Sequence, residues 1–320
     1  MELTAQPEAN VKQVPGVKRR ELLRTIRSQK WLLLFVTPAV VLTFVFSYLP
    51  MFGNIIAFQD YDIVKGFFGS PFVGFKHFKE LFQDPHSLLV IKNTVILSTC
   101  NIIFTFPAPI LLALLLNELR SMVFKRSVQT ISYLPHFISW VIILGFYKEM
   151  TSIDGGLFNE IKMYLYGGEP VMFQAKAGWF LPVVVISNIW KEIGWNTIIF
   201  LAALSGIDQQ LYEAAAIDGA GKLKRILHIT LPGILPTIMI LLILSLSHIF
   251  GTNFDQVYNL INVHIQDKVD VLETYVFTEG IEKARFPFAT AVGLFQGVIS
   301  FILVVVSNKL SKKFTEISIW

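Results

Sequence analysis

The feature that most constrains this chain is its set of long apolar runs. Trp31 to Leu49 is a run of 19 residues without a charged side chain, and about 20 helical residues cross the hydrocarbon core of a bilayer. The sequence therefore predicts an all-α integral membrane protein with six transmembrane helices. The other five predicted spans are roughly Leu88–Leu116, Ile131–Tyr147, Trp179–Leu204, Gly233–Phe250 and Phe286–Asn308.

Composition excludes the soluble classes of protein. Hydrophobic residues make up 53% of the chain and charged residues 16%, against about 25% charged in an ordinary globular protein. The single cysteine, Cys100, excludes an intramolecular disulfide and a cysteine-based metal site. The six histidines show no metal-binding spacing, so no metal is predicted.

The distribution of lysine and arginine predicts the orientation of the spans. Sixteen of the 27 basic residues lie in segments 1–30, 117–129, 205–232 and 309–320, and nine lie in the longer segments 51–87, 148–178 and 252–285. Because basic loops stay in the cytoplasm, both termini are predicted inside. The expected organisation is a basic cytoplasmic region (1–30), a six-helix domain (31–308) and a cytoplasmic tail (309–320). The basic N-terminal region is explained by this topology and by anionic lipid, so nucleic acid is not an expected partner.

The cytoplasmic loop 205–232 differs from the other loops. Leu211 to Ile217 is rich in helix formers, Gly219 and Gly221 permit a sharp break, and Lys222 to Ile229 is predicted as a second short helix. Two helices in so small a loop cannot cover their own apolar faces, so the loop is expected to dock on a partner.

This loop resembles the EAA motif in the membrane subunits of bacterial ABC importers. The similarity includes the fuller form that is common in the sugar-transporting branch. Outside the loop, the runs Phe46–Gly53, Ala57–Tyr61, Gly69–Phe78 and Asn253–Leu260 resemble LplB-like permeases, a branch of the maltose-type family associated with complex and uronate-containing oligosaccharides. The matching loop residues are Glu213, Ala214, Ala215, Asp218, Gly219, Ala220, Ile229, Leu231 and Pro232.

The resemblance implies a type I importer in the bacterial inner membrane. Its partners would be a second homologous permease forming a heterodimer, two ATP-binding subunits and an extracytoplasmic solute-binding protein. Glu213 would anchor the coupling helix to a basic residue of the ATPase, Ala214 and Ala215 would allow close approach, and Gly219 would make the turn. The chain itself should not hydrolyse ATP, because Gly219-Ala-Gly221-Lys222 lacks the rest of a phosphate-binding loop. No cofactor is expected in this chain, since ATP and Mg would bind to the partner ATPase.

Polar residues within or beside the spans are the candidates for a substrate path, since polar groups in a bilayer face a cavity or the bundle interior. Amides and aromatic rings suit sugars, but the same residues could instead join helices by hydrogen bonds. Lys191 and Glu192 project about 100° apart and are not expected to pair; Lys191 and His248 are compatible with an acidic sugar. The candidates are Asn188, Trp195, Asn196, His248, Asn253, Asp255 and Gln296.

The sequence thus predicts a permease subunit that moves oligosaccharides, with acidic sugars an open possibility, by alternating access. One alternative is a secondary transporter or channel, which would need neither an ATPase nor the loop motif. A second is a membrane enzyme of polysaccharide metabolism, but the sequence shows no acid–base or metal constellation at a membrane face.

Overall fold

The computed structural model describes residues 28–251, 254–316 and 318–319. This part of the chain consists of helices joined by turns and irregular segments, and it has no strand beyond one isolated bridge between Gln59 and Phe72. The basic N-terminal region predicted for residues 1–30 lies almost wholly outside it. The main helices are α1 (Lys30–Phe58), α2 (Lys76–Gln83), α3 (Pro85–Asn117), α4 (Met122–Phe137), α5 (Trp140–Met150), α6 (Leu157–Tyr166), α7 (Phe180–Ser205), α8 (Gln209–Ile217), α9 (Lys222–Ser247), α10 (Phe254–Leu260), α11 (Leu272–Phe277) and α12 (Phe286–Thr315).

Four described helices are long and apolar enough to cross a membrane: α1, α3, α9 and α12. A fifth span exists if α4 and α5 are counted together, and these two helices meet at a bend of 96°. The third predicted span, Ile131–Tyr147, therefore falls on this bent pair and is not one continuous helix. Pro135 lies in a 3-10 turn just before the bend, and Ser139 caps α5 by accepting a hydrogen bond from Ile142 N at 3.4 Å.

The fourth predicted span has the right boundaries but a weaker apolar character than expected. α7 is one uninterrupted helix of 26 residues, which is long enough to cross a membrane. It is nevertheless not among the helices that are apolar enough to do so by composition alone. Lys191, Glu192 and the amides around them lower its hydropathy, and α7 buries Lys191 inside the protein.

The loop 205–232 contains one separate helix, whereas two were predicted. Residues Lys222 onward belong to α9, which continues through a π-helical turn at Ile226–Thr230 into the span. Pro232 does not end α9. It lies just after the π-helical turn and occupies the first turn of the α-helical stretch Leu231–Ser247.

The chain divides into two compact units, Met1–Ile55 and Ile56–Trp320. In the first unit, no side chain between Lys30 and Met51 is buried. A surface this apolar without internal contacts is typical of a helix that faces lipid or another subunit.

The second unit is built around three apolar clusters. The first joins α3, α5, α7 and α10, the second joins α2, α3, α11 and α12, and the third joins α3, α7 and α9. In the third cluster Phe200 and Ile234 are almost completely buried. Gly194 permits the close packing of α7 on α4, because a Cβ there would lie 2.1 Å from Ser132 O.

Candidate coupling loop and substrate cavity

The backbone of the 205–232 loop forms a defined turn after α8. Asp208 caps the start of α8 by accepting a hydrogen bond from Gln210 N at 2.9 Å. At the other end, Ala220 N donates to Ala215 O at 2.8 Å and Gly219 N donates to Ala216 O at 3.1 Å. This pair of bonds is the Schellman arrangement, which needs a left-handed residue after the helix.

Gly219 is that residue, with φ +74°, and a residue with a Cβ is strained in this conformation. The spacing from Glu213 to Gly219 in the sequence motif thus sets where α8 ends and in which direction the chain leaves. Asp218 is the last residue before this turn and is exposed, and Ala220 directly follows it.

α8 offers its side chains to something outside the chain. None of its residues is buried. Ile217 is 87% exposed, Leu223 just beyond the turn is 70% exposed, and Glu213 and Ala214 are also exposed. An exposed apolar surface that also carries exposed carboxylates is suited to docking in a cleft that supplies a basic group.

Two polar contacts hold this surface against the helical body. Tyr212 Oη and Thr230 Oγ1 are 3.0 Å apart, and Lys222 Nζ lies 3.5 Å from a carboxylate oxygen of Glu118. Beyond Ile229, Leu231 packs on the third apolar cluster. α8 is therefore connected to the start of α9 by a side-chain contact as well as through the chain.

Three of the predicted path residues meet in one cavity of about 380 Å³. Asn188 and Asn196 on α7 and His248 at the end of α9 all line it, together with Asn101 on α3. Asn188 Nδ2 donates to Asn101 Oδ1 at 3.4 Å. The cavity offers amide and imidazole groups among apolar walls, which can hydrogen-bond to hydroxyl groups.

α3 contributes to this cavity as well, and its Asn101 is, like Asn188, a polar residue in a predicted apolar span. Residues Asn101–Thr105 form a π-helical turn, and Asn101, Ile102 and Thr105 all line the cavity. π-helical turns are rare in proteins, and those that occur are often found at functional sites. No periodicity in the sequence predicts the π-helical turn in α3. Ser245 also lines the cavity, and its position three residues before His248 on one helix face could have revealed it.

Gln296 lies in a second cavity of about 610 Å³, which His248 also borders. Its side-chain amide donates to Phe250 O. His248 thus stands between the two cavities. Part of the hydrogen-bonding capacity of Gln296 is used to hold the end of α9 against α12.

Trp195 and Asp255 do not line either cavity. The indole of Trp195 stacks on the His136 ring with centroids 4.4 Å apart. Asp255 is exposed in the first turn of α10. Asn253 lies outside the described residues.

The ammonium group of Lys191 is hydrogen-bonded to the backbone at the α4–α5 bend. Its Nζ donates to His136 O at 2.5 Å and to Ile138 O at 2.8 Å. The expectation that it would not pair with Glu192 is wrong, since Nζ lies 3.8 Å from Glu192 Oε1. The long, flexible lysine side chain bridges the 100° offset. Glu192 Oε2 lies 2.9 Å from His136 Nδ1, so this cluster satisfies its own charges.

The segment 254–285 is fixed to the body of the protein through buried polar groups. Gln256 is fully buried and donates to Val184 O and Ser187 Oγ, both at 2.8 Å. Asn93 Nδ2 donates to Asp270 O at 3.0 Å. These bonds attach the segment to both α7 and α3.

A carboxylate cluster fixes the same segment at the start of α3. Asp270 accepts hydrogen bonds from Thr274 Oγ1 and, at 3.0 Å, from Val271 N, and its other oxygen lies 3.8 Å from His86 Nε2. Burial raises the pKa of Asp270 above 3.8, against the weaker opposing effects of Thr274 and His86. Burial also raises the pKa of Tyr275, whose hydroxyl lies 2.9 Å from Ser87 Oγ, to about 12.

The C-terminal end of the segment is held by ion pairs. Glu279 is 3% exposed and pairs with Lys283 at 2.7 Å and Arg285 at 2.5 Å. Arg285 also pairs with Glu80 on α2. Burial lowers the pKa of Arg285, but the attraction of Glu80 and Glu279 outweighs it and the net pKa is raised.

The comparisons with known proteins agree with this architecture. The chain is 45% identical over 303 residues to the polygalacturonan/rhamnogalacturonan transport system permease protein YteP of Bacillus subtilis (strain 168), covering 95% of this chain and 94% of the relative. It is 43% identical over 294 residues to the protein LplB of the same organism, covering 92% of each chain.

A solved structure of a bacterial ABC transporter involved in the import of the acidic polysaccharide alginate contains a similar chain. The TM-score is 0.85 at 38% identity, with 92% of this chain and 99% of that chain covered. A chain in the same kind of transporter, in complex with an alginate pentasaccharide-bound periplasmic protein, matches with a TM-score of 0.86 at 37% identity, covering 93% and 100%.

The family of binding-protein-dependent transport system inner membrane components matches residues 105–315. This match includes the cavity-lining helices α7 and α9 and the whole of the 205–232 loop. The chain belongs to this family of multi-pass permease subunits of the inner membrane.

Proposed function

We propose that this chain is the permease subunit of an ATP-driven importer of oligosaccharides, with uronate-containing oligosaccharides as its substrates. The observation that carries the proposal is the meeting of Asn188, Asn196 and His248 in one cavity, in a chain that presents an unburied coupling helix. Amides from several helices that converge on one cavity are suited to the many hydroxyl groups of a sugar.

The acidic character of the substrate is supported by the relatives. One is described as a polygalacturonan/rhamnogalacturonan permease protein and one solved transporter as an importer of alginate, an acidic polysaccharide. Within the first cavity, His248 is the lining side chain that can carry a positive charge. Lys191 is not available for this role, because its ammonium group is occupied at the α4–α5 bend.

The proposed topology has six spans with both termini in the cytoplasm. The four apolar helices and the α4–α5 pair supply five, and α7 supplies the sixth, since its 26 residues extend about 39 Å. The charges within α7 are compatible with a span because Lys191 and Glu192 are paired inside the protein. The six-helix domain then covers residues 31–308, between a basic region at 1–30 and a tail at 309–320.

The proposed assembly contains a second, homologous permease as a heterodimeric partner, two ATPase subunits that bind ATP and Mg, and an extracytoplasmic solute-binding protein. The complex of a similar transporter with its periplasmic protein supports the last of these. In this assembly α8 docks in a cleft of the ATPase, with Glu213 paired to a basic residue there. Closure of the ATPase dimer draws the coupling helices together, and the spans rock between inward-facing and outward-facing states.

The test is uptake by vesicles that contain this chain, its partner permease, the ATPase and the binding protein. We expect ATP-dependent uptake of oligogalacturonides, and we expect His248→Ala and Asn196→Ala to lower it while α8 still binds the ATPase. Ser300→Ala, in the second cavity, is the matched control. A neutral oligosaccharide of equal length tests the charge preference.

A secondary transporter would behave differently in the same vesicles. Uptake that follows an ion gradient and continues without the ATPase would contradict the proposal. Equal uptake of neutral and acidic oligosaccharides would contradict only the substrate class.

A further inference from the structure

An apolar groove of about 800 Å³ lies between α5, α6 and α7, away from the two cavities described above. Its walls include Phe146 on α5, Phe158 on α6, and Trp179, Ile186 and Trp190 at or along α7. The volume is within the range of roughly 300–1,000 Å³ found for sites that hold small molecules. These large side chains are 46–66% exposed, so the groove is open to the surroundings.

The groove is about as long as one leaflet of the bilayer is thick. From Trp179 to Trp190 the helix rises about 17 Å, and α5 with its 11 residues is about 16 Å long. Both lengths are close to half of the ~30 Å hydrocarbon core. A transmembrane helix of a partner would follow the full thickness, whereas an acyl chain of one leaflet ends where the groove ends.

Two lysines are located at the end of the groove that is nearer the start of α7. Lys148 and Lys176 line a small cavity that shares Tyr147, Phe173 and Val183 with the groove. Gln174 Nε2 donates to Lys148 O at 2.9 Å and thereby fixes the two lysine-bearing segments side by side.

The charges of these lysines are not neutralised by the chain. Both are exposed, and within the described residues neither forms an ion pair. Glu149 follows Lys148 and is also exposed, so the end of the groove carries a net positive charge. Trp179 lies at the same end of the groove as the two lysines, and tryptophan favours the boundary between hydrocarbon and headgroups.

We propose that this groove is a binding site for an anionic phospholipid. The acyl chain lies against Phe146, Ile186 and Trp190, and the headgroup phosphate pairs with Lys148 and Lys176. Basic groups at the end of an apolar surface between membrane helices recognise this class of lipid, and each lysine contributes about fivefold in affinity. The site is separate from the sugar path, because it shares none of the residues that line the first cavity.

The test uses the purified importer complex in vesicles of phosphatidylcholine with phosphatidylglycerol as the minor lipid. Bromine atoms, which quench tryptophan fluorescence, are placed on the acyl chains either of the phosphatidylglycerol or of an equal amount of the phosphatidylcholine. Comparison with Trp190→Phe isolates the signal of Trp190. We expect stronger quenching of Trp190 by brominated phosphatidylglycerol.

Charge variants then test the headgroup contact. Lys148→Gln and Lys176→Gln should each lower the preference for phosphatidylglycerol about fivefold. Lys162→Gln is the matched control, since Lys162 lies on α6 in the same loop and donates to Glu169 O instead. It should keep the preference.

Three results would overturn the proposal. Equal quenching by the two brominated lipids would mean that the groove holds any lipid. No quenching of Trp190 by either would mean that protein covers the groove. A loss in Lys162→Gln as large as in Lys148→Gln would mean that only the general charge of the loop matters.

Discussion

The 205–232 loop and the 254–285 segment both connect apolar helices, but they treat their polar and apolar groups in opposite ways. In the loop, α8 has no buried residue, and Ile217 is 87% exposed. In the segment, Gln256, Asp270 and Glu279 are each at most 3% exposed, and each is held by side chains or backbone of the same chain.

This difference separates two kinds of structural requirement. The 254–285 segment is completed within the chain, so its variants should change the free energy of unfolding of this subunit. We propose that the loop is completed by an ATPase subunit, so its variants should change assembly and transport and leave the subunit folded. Each prediction below tests one side of this division.

The largest expected effect is on transport, from Glu213→Lys. The exposed carboxylate would be replaced by a cation facing the proposed basic partner, and like charges at an interface cost several kcal/mol. Uptake should fall about 100-fold or more, while insertion and unfolding of the permease stay unchanged. Glu316→Lys makes the same change of charge at another exposed site and should transport normally. Normal ATP-driven uptake by Glu213→Lys would remove the basis for the coupling assignment.

The next effect is on stability, from Asp270→Ala. The variant removes the carboxylate that accepts from Thr274 Oγ1 and Val271 N. These groups keep only their longer bonds to Val271 O and Thr274 Oγ1, and each hydrogen bond to a charged group contributes about 1.5–3 kcal/mol. We expect the free energy of unfolding in detergent–SDS titrations to fall by about 2–4 kcal/mol. Asp267→Ala removes an exposed carboxylate three residues earlier and should change it by less than about 0.5 kcal/mol. An equal change in both variants would mean that the buried cluster around Asp270 contributes no more to the free energy of unfolding than an exposed carboxylate does.

The same contrast explains which features of each region can be predicted from the sequence. The residues from Glu213 to Pro232 were identifiable because they resemble the EAA motif at its spacing, and Gly219 does have the left-handed φ that a turn at that position requires. The all-helical fold was predictable because apolar runs are local. The burial of Asp270 was not, since Asp270 and His86 are far apart in sequence and only the folded chain brings them together.

The cavity could be predicted from the sequence only in part. Asn188 and Asn196 were recognisable as polar residues in an apolar helix, and they do line one cavity. The bend between α4 and α5 was not predicted, because Lys191 stabilises it from a distant helix by donating to His136 O and Ile138 O. Because these two carbonyls hold its ammonium group, Lys191 is not available to bind an acidic sugar, a role with which its charge was compatible.

A smaller effect is expected at the turn of the loop, from Gly219→Val. A β-branched residue at φ +74° costs about 1–2 kcal/mol, which should weaken binding of the ATPase subunit about tenfold. Gly221→Val is the matched control, because a Cβ there meets open space and its φ of −68° suits any residue. Binding measured by co-purification or by interferometry should distinguish the two variants. If both bind equally well, the Schellman turn is not part of the docking surface.

The smallest effect is a pH dependence of stability in the 254–285 segment. Because burial holds the pKa of Asp270 above 3.8, the folded state binds more protons than the unfolded state between pH 3.8 and the folded pKa. The contribution of Asp270 to stability is therefore fully present at the acidic end of this window and declines as the pH rises through it, by less than about 1.4 kcal/mol per pH unit. Asp270→Asn should lack this decline in unfolding titrations at a series of pH values. His86→Gln removes one of the nearby groups that lower the pKa of Asp270, so it should extend the decline to higher pH. Coinciding pH profiles in all three proteins would show that burial in the folded segment does not raise the pKa of Asp270.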